Sequence, residues 1–173
     1  NTNITVSGSS TGSTDQEKWV LNTNNNSVSG KNLTLFYYDI IAQTTSYTIS
    51  GGGFPQPPIV TYSSAPAVSS DQPTIETATI WAVAGTNSLV SDPLSANSIE
   101  QWSTPTISWF IASPNQIPPQ ITYYHQYNVS VSYQISGGGS PTAPIFNANS
   151  YGGTLNPSLL PSNNVNYWLD AGS

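Results

Sequence analysis

Two stretches of the chain are near copies of each other. YYDIIAQTTSYTISGGGFPQPPIV, starting at Tyr37, and YYHQYNVSVSYQISGGGSPTAPIF, starting at Tyr123, align without a gap at an offset of 86 residues. The alignment places Tyr47 on Tyr133, Ile49 on Ile135, glycines 51–53 on 137–139, Pro58 on Pro144 and Ile59 on Ile145. Trp19 in EKW and Trp102 in EQW extend the match at an offset of 83, and Trp81 and Trp168 extend it at 87. Offsets that drift on either side of a gap-free centre are what loops of variable length produce between strands of fixed length. Each copy must then form the same supersecondary unit, a tighter constraint than any local propensity. Two copies of one module are expected.

Within a module the hydrophobic period is two. From Ile121 the odd positions read Ile121, Tyr123, His125, Tyr127, Val129, Val131, Tyr133 and Ile135, against mostly Thr, Gln, Asn and Ser at the even ones. This predicts a half-buried strand or tight strand pair over 121–135, with Asn128 on the polar side. The first copy alternates more loosely through Leu35, Tyr37, Ile41, Tyr47 and Ile49. SGGGFPQPP and SGGGSPTAP are turn chemistry, glycine supplying positive φ and proline blocking the ladder, and read as hairpin turns. Further strands are predicted at 59–63, 74–84, 104–111 and 165–169, and no window carries an apolar stripe at helical spacing. The fold class expected is all-β, as two tandem immunoglobulin-like β-sandwich domains, with the repeated tryptophans in their cores.

Composition excludes several classes of partner. Eight carboxylates face two lysines and no arginine, for a net charge of -6, so nucleic acid finds no basic footprint. Only 6% of the residues are charged, and the surface must be wetted by neutral polar groups. Such a surface changes little when carboxylates protonate near pH ~4. That suits an acidic exterior as well as a neutral secreted setting. With no Cys and no Met there is neither a disulfide framework nor an easily oxidised site. No apolar run is long enough for membrane insertion, and the start at Asn1 without Met fits either a processed form or a trimmed piece. Asn3, Asn25, Asn32 and Asn128 stand in N-glycosylation sequons, whereas Pro157 excludes Asn156. N-linked glycans are expected, and no other cofactor.

The repeat runs out of phase with the ends of the chain. After Trp81, WAVAGT continues into NSLVSDPLSANSIEQW, whereas after Trp168 the copy stops at WLDAGS. Setting a second molecule's Asn1 after Ser173 restores the phase: Trp168 to the next Trp19 spans 24 residues, against 21 from Trp81 to Trp102. The organisation expected is a donor strand in 1–14, one domain over 15–102, and an incomplete acceptor domain over 103–173. Thr2, Asn3, Ile4, Thr5, Val6 and Ser7 form the candidate donor strand, with Ile4 and Val6 pointing inward. An open sandwich exposes unpaired backbone groups and an apolar groove, which invites strand addition. About ten backbone hydrogen bonds at ~1 kcal/mol net each and two aliphatic side chains at ~2 kcal/mol each give a gross gain on the order of 10 kcal/mol. A head-to-tail contact that does not close on itself makes a filament of neighbouring copies. Two alternatives stay open: a complete six-strand second sandwich with a frayed N-terminal tail, and a piece of a longer array.

YYHQYNVSVSYQISGGGSPTAP followed by YWLDAGS resembles a module repeated in secreted and cell-surface proteins of thermoacidophilic archaea, including regions beside thermopsin-like acid proteases. The match covers both copies, the second more faithfully. A two-module, sequon-bearing chain with an N-terminal strand is similar to the subunits of archaeal thread filaments of the Sulfolobales type. That resemblance implies a glycosylated extracellular fibre assembled by donor strand complementation, with a role in adhesion or biofilm. The alternative function is an adhesin-like, spacer or carbohydrate-binding module of a larger secreted protein, with glycans or surfaces as partners.

No catalytic constellation stands out. His125 aligns with Asp39 in the first copy, so the module does not require imidazole there, and no second His or Cys exists to build a zinc site. No G-x-S-x-G elbow accompanies it. LDAG, residues 169–172, is faintly like the loops of aspartic proteases, which need two carboxylates, but Asp170 aligns with Val83. The glycine triplets lack the Lys-Ser/Thr of a phosphate loop. No enzymatic activity is expected.

Overall fold

A computed structural model describes residues 12–22, 27–29, 32–65, 67–71, 77–155 and 163–172. The candidate donor strand Thr2, Asn3, Ile4, Thr5, Val6 and Ser7, and the sequon Asn25, lie outside the described residues. Among the described residues every regular element is a β-strand, so the protein is all-β. The chain divides into two compact units that are interleaved in sequence rather than split at residue 102. Unit 1 takes residues 1–47, 58–91 and 106–120, and unit 2 takes 48–57, 92–105 and 121–173.

Unit 1 contains two sheets. In the first, β4 (Tyr37–Thr45) lies between β1 (Glu17–Leu21) and β8 (Ala78–Val83). The second runs β11 (Ser108–Phe110), β9 (Asn87–Val90), β6 (Val60–Ser64) and β7 (Ala67–Asp71). A small pair, β2 (Ser27–Ser29) and β3 (Asn32–Thr34), stands apart. Alternation decides what is buried: Ile41 on β4, Ile80 and Ala82 on β8, Val60 and Tyr62 on β6, and Val90 on β9 are buried, as are Trp109 and Ile111. Burying each aliphatic side chain contributes about 2 kcal/mol. The arrangement is consistent with a β-sandwich.

In unit 2, β12 (Ile121–Val131) lies between β10 (Glu100–Ser103) and β15 (Val165–Asp170), and β5 (Tyr47–Ser50) also pairs with β12. A hairpin, β13 (Ala148–Ser150) and β14 (Gly153–Leu155), packs beside β15.

The three-stranded cores of the two units share one register. Glu17 opposes Ile41 and Trp19 opposes Asp39 in unit 1; Glu100 opposes Tyr127 and Trp102 opposes His125 in unit 2. On the other edge Ile40 opposes Val83 and Ala42 opposes Trp81, while Gln126 opposes Asp170 and Asn128 opposes Trp168. These are the offsets of the sequence repeat. Bonds outside the ladders recur as well: Ala84 N donates to Asp39 O at 2.9 Å, and Ala171 N to His125 O at 2.8 Å. Thr14 Oγ1 accepts from the amides of Gln16 and Glu17 as Asn97 Oδ1 accepts from those of Ile99 and Glu100.

Several expectations are corrected. The glycine triplets are not hairpin turns: β5 pairs with β12, whereas the next strand, β6, pairs with β7 and β9. Of the repeated tryptophans only Trp102 is buried, while Trp19, Trp81 and Trp168 are half-buried, Trp81 lying under Lys18 Nζ at 3.6 Å. The alternating strand ends at Val131, and its polar side is not simply a wet face, because Gln126 is fully buried among Gln101, Ser150 and Asp170. The strand expected over 104–111 is confined to Ser108–Phe110.

Candidate assembly face and loop socket of unit 2

The equal registers allow burial to be compared position by position. On the inner face of unit 1, Ile41, Gln43 and Ile80 are at most 1% exposed. Their counterparts in unit 2 are Tyr127 at 43%, Val129 at 38%, and Tyr167, which is half-buried; Val165 on the same face is 38% exposed. The cross-strand pairs Tyr127 with Leu169, Val129 with Tyr167, and Val131 with Val165 form one apolar strip. Chemistry does not account for the difference in exposure. Tyr127, Val129 and Val131 stand where unit 1 buries Ile41, Gln43 and Thr45, so the more apolar sheet is the barer one. Phe146 touches the margin of the strip, its ring centroid 5.7 Å from that of Tyr167.

The opposite end of the same face is sealed by a loop. Gly51, Gly52 and Gly53 follow β5 with φ of 83°, 79° and 87°, a left-handed run that glycine alone adopts readily. They lie against Trp102, His125 and Ala171. Trp102 Nε1 donates to Gly52 O at 2.9 Å, and His125 Nδ1 lies 3.1 Å from Gly51 O. A Cβ on Gly51 would come within 3.1 Å of His125 Cβ and 3.3 Å of Ala171 Cβ; one on Gly53 would lie 2.4 Å from Trp102 Cζ2. The ring of His125 stacks on Trp102 at 4.3 Å, and its Nε2 meets Glu100 Oε1 at 2.7 Å. Both ring nitrogens face oxygen atoms, Gly51 O on one side and Glu100 Oε1 on the other. His125 is a structural residue of this socket.

Asp170, the acid of LDAG, accepts from Gln126 Nε2 at 3.0 Å, Tyr151 N at 3.0 Å and Gly152 N at 2.7 Å. Its carboxylate ties the β13–β14 turn to the sheet, with Gln101 Nε2 donating to Gln126 Oε1 behind it. In unit 1 the counterparts of Glu100 and His125 are Glu17 and Asp39. Desolvation, followed by the charge of Asp39 and a hydrogen bond with it, pushes the Glu17 carboxyl above its ordinary value of 4.5. Asp39 Oδ1 is buried without a hydrogen-bond partner.

Of the sequons within the described residues, Asn32 is exposed on β3. Asn128 is half-buried on β12, and its Nδ2 donates to Ser98 O at 3.0 Å. Glycosylation leaves that nitrogen one N–H, which can keep the bond. Among the described residues no group of three or more His, Cys, Asp or Glu could hold a metal, and no helix is long and apolar enough to cross a membrane. Comparison with protein-family models, curated proteins and solved structures finds no match to the chain.

Sequence reasoning expected an apolar groove on the second module without naming the residues of the strip, and it missed the socket. The signal for the socket was present: the glycine triplet and the Glu-x-Trp motif recur together in the two copies.

Proposed function

We propose that the protein is the structural subunit of an extracellular, glycosylated filament. Copies join head to tail when the N-terminal strand of one, around Ile4 and Val6, covers the apolar strip of unit 2 in the next and completes an immunoglobulin-like sandwich. The observation that carries this reading is the contrast between two sheets of identical register, one buried to 1% or less at Ile41 and Ile80, the other bare at Tyr127, Val129 and Val165. A contiguous apolar face on a secreted domain marks a binding surface, and a donated strand covers it while satisfying backbone groups. The acidic, charge-poor composition and the sequons suit a fibre outside the cell in an acidic medium, and the resemblance to archaeal thread filaments points the same way to adhesion or biofilm.

Electron microscopy of the native material, with and without residues 1–10, tests the proposal. Detergent-resistant linear fibres that disappear on the deletion are the expected result. Dispersed particles of monomer mass from the intact protein, or fibres indifferent to the deletion, would overturn it.

A further inference from the structure

The glycine loop of unit 2's socket belongs to the first sequence copy, and the second copy carries the same loop. Gly137, Gly138 and Gly139 hold φ of 89°, 79° and 96°, nearly the values of Gly51, Gly52 and Gly53. Their setting is different. A Cβ on Gly51 or Gly53 meets His125, Ala171 or Trp102, whereas one on Gly137, Gly138 or Gly139 meets nothing within 4 Å. The preceding stretch also differs: Tyr47–Ser50 is a strand paired with β12, but residues 133–136 form no strand, and Ile135 is 44% exposed. Residues 137–139 therefore repeat the backbone run of the first loop without the close neighbours that Gly51 and Gly53 have.

Unit 1 carries the matching socket. Trp19, Asp39 and Ala84 occupy the register positions of Trp102, His125 and Ala171. Trp19 is half-buried where Trp102 is only 8% exposed. Asp39 Oδ1 is buried and unpartnered where His125 has both ring nitrogens engaged. The position that the loop engages in unit 2 is thus the one where unit 1 holds a carboxylate with one oxygen unpartnered.

We infer that residues 133–139 of one copy dock into the Trp19–Asp39–Ala84 socket of the next, a second head-to-tail contact separate from the donated strand. The occupant is a second copy of this chain, since the loop and its receiving residues are both repeats of a pairing that the chain makes once. Trp19 packs on Gly139 as Trp102 packs on Gly53, and Ala84 leaves room for Gly137 as Ala171 does for Gly51. The contact is heterologous and does not close on itself, so it propagates along a fibre. It rests on the reading that copies meet head to tail, but not on the strand around Ile4.

The test uses the full chain. Hydrogen exchange is compared in dispersed and assembled material, and the concentration of half-assembly is measured for four variants. Gly139→Val, from the loop side, and Ala84→Leu, from the socket side, should each raise that concentration about tenfold or more. Gly172→Ala, with a φ of 81° and open space around it, introduces comparable backbone strain elsewhere and should not. Protection of 135–139 on assembly, together with these shifts, supports the docking. Fibres in which 135–139 stay unprotected, or in which Gly139→Val and Ala84→Leu assemble like the parent, overturn it and leave the filament standing. Assembly that survives Ile4→Asp but not Gly139→Val supports the docking and removes the donated strand. Failure of the parent to self-associate at any concentration overturns both.

Discussion

Single side chains decide where the backbone of unit 2 can close. Gly53 has to be glycine twice over, for its positive φ and for its approach to Trp102. Gly53→Ala should therefore cost about 2–4 kcal/mol, overpacking added to left-handed strain, whereas Gly52→Ala, with open space around it, should show only the strain. Urea unfolding followed by tryptophan fluorescence separates the two. Glu17 sets a pH dependence in unit 1. Folding holds its carboxyl above the ordinary 4.5, so the folded state keeps a proton that the unfolded state has released. The stability this contributes is present below pH 4.5 and is lost as pH rises through the folded value. The thermal midpoint should fall on raising the pH across that window, and Glu17→Gln should flatten the fall.

At the level of elements, two sheets of one register have been given different covers. Positions that unit 1 buries under its second sheet are open in unit 2, while the β13–β14 hairpin protects the other side of β12 at Gln126. Asp170 holds that hairpin through Tyr151 N and Gly152 N. Asp170→Ala leaves those amides without their acceptor, removes one of the two acceptors of Gln126 Nε2, and should cost about 1–3 kcal/mol. Faster hydrogen exchange at Tyr151 and Gly152, with β12 unchanged, is the pattern expected if the carboxylate acts on the turn. The strands of this sheet were legible from period two and from the repeat: β12 begins at Ile121 as predicted, and β15 opens at Val165. The interior of Gln126 was not legible. Its neighbours Tyr124 and Asn128 are polar like it and only half-buried, and the partners that enclose it, Gln101, Ser150 and Asp170, are more than twenty residues away in sequence.

For the whole molecule the bare strip separates folding from assembly. Val129→Asp lies on an exposed surface and should leave the unfolding midpoint within about 0.5 kcal/mol of the parent, while abolishing fibres in electron micrographs. Ile80→Asp, on the same face of the sheet in unit 1, buries a charge without a partner and should cost more than about 4 kcal/mol. If Val129→Asp assembles normally, the strip is not the contact surface.

The amino-acid sequence alone determined that the chain is all-β and that it holds two copies of one module. These follow from period and self-similarity, which are properties of the chain taken in order. Tertiary structure decided that β5 and its glycines join unit 2, that residues 106–120 join unit 1, and that one inner face is covered while its twin is not. Burial depends on what lies across the roughly 10 Å between packed sheets, and that is supplied by segments remote in sequence, whose destination no local pattern records.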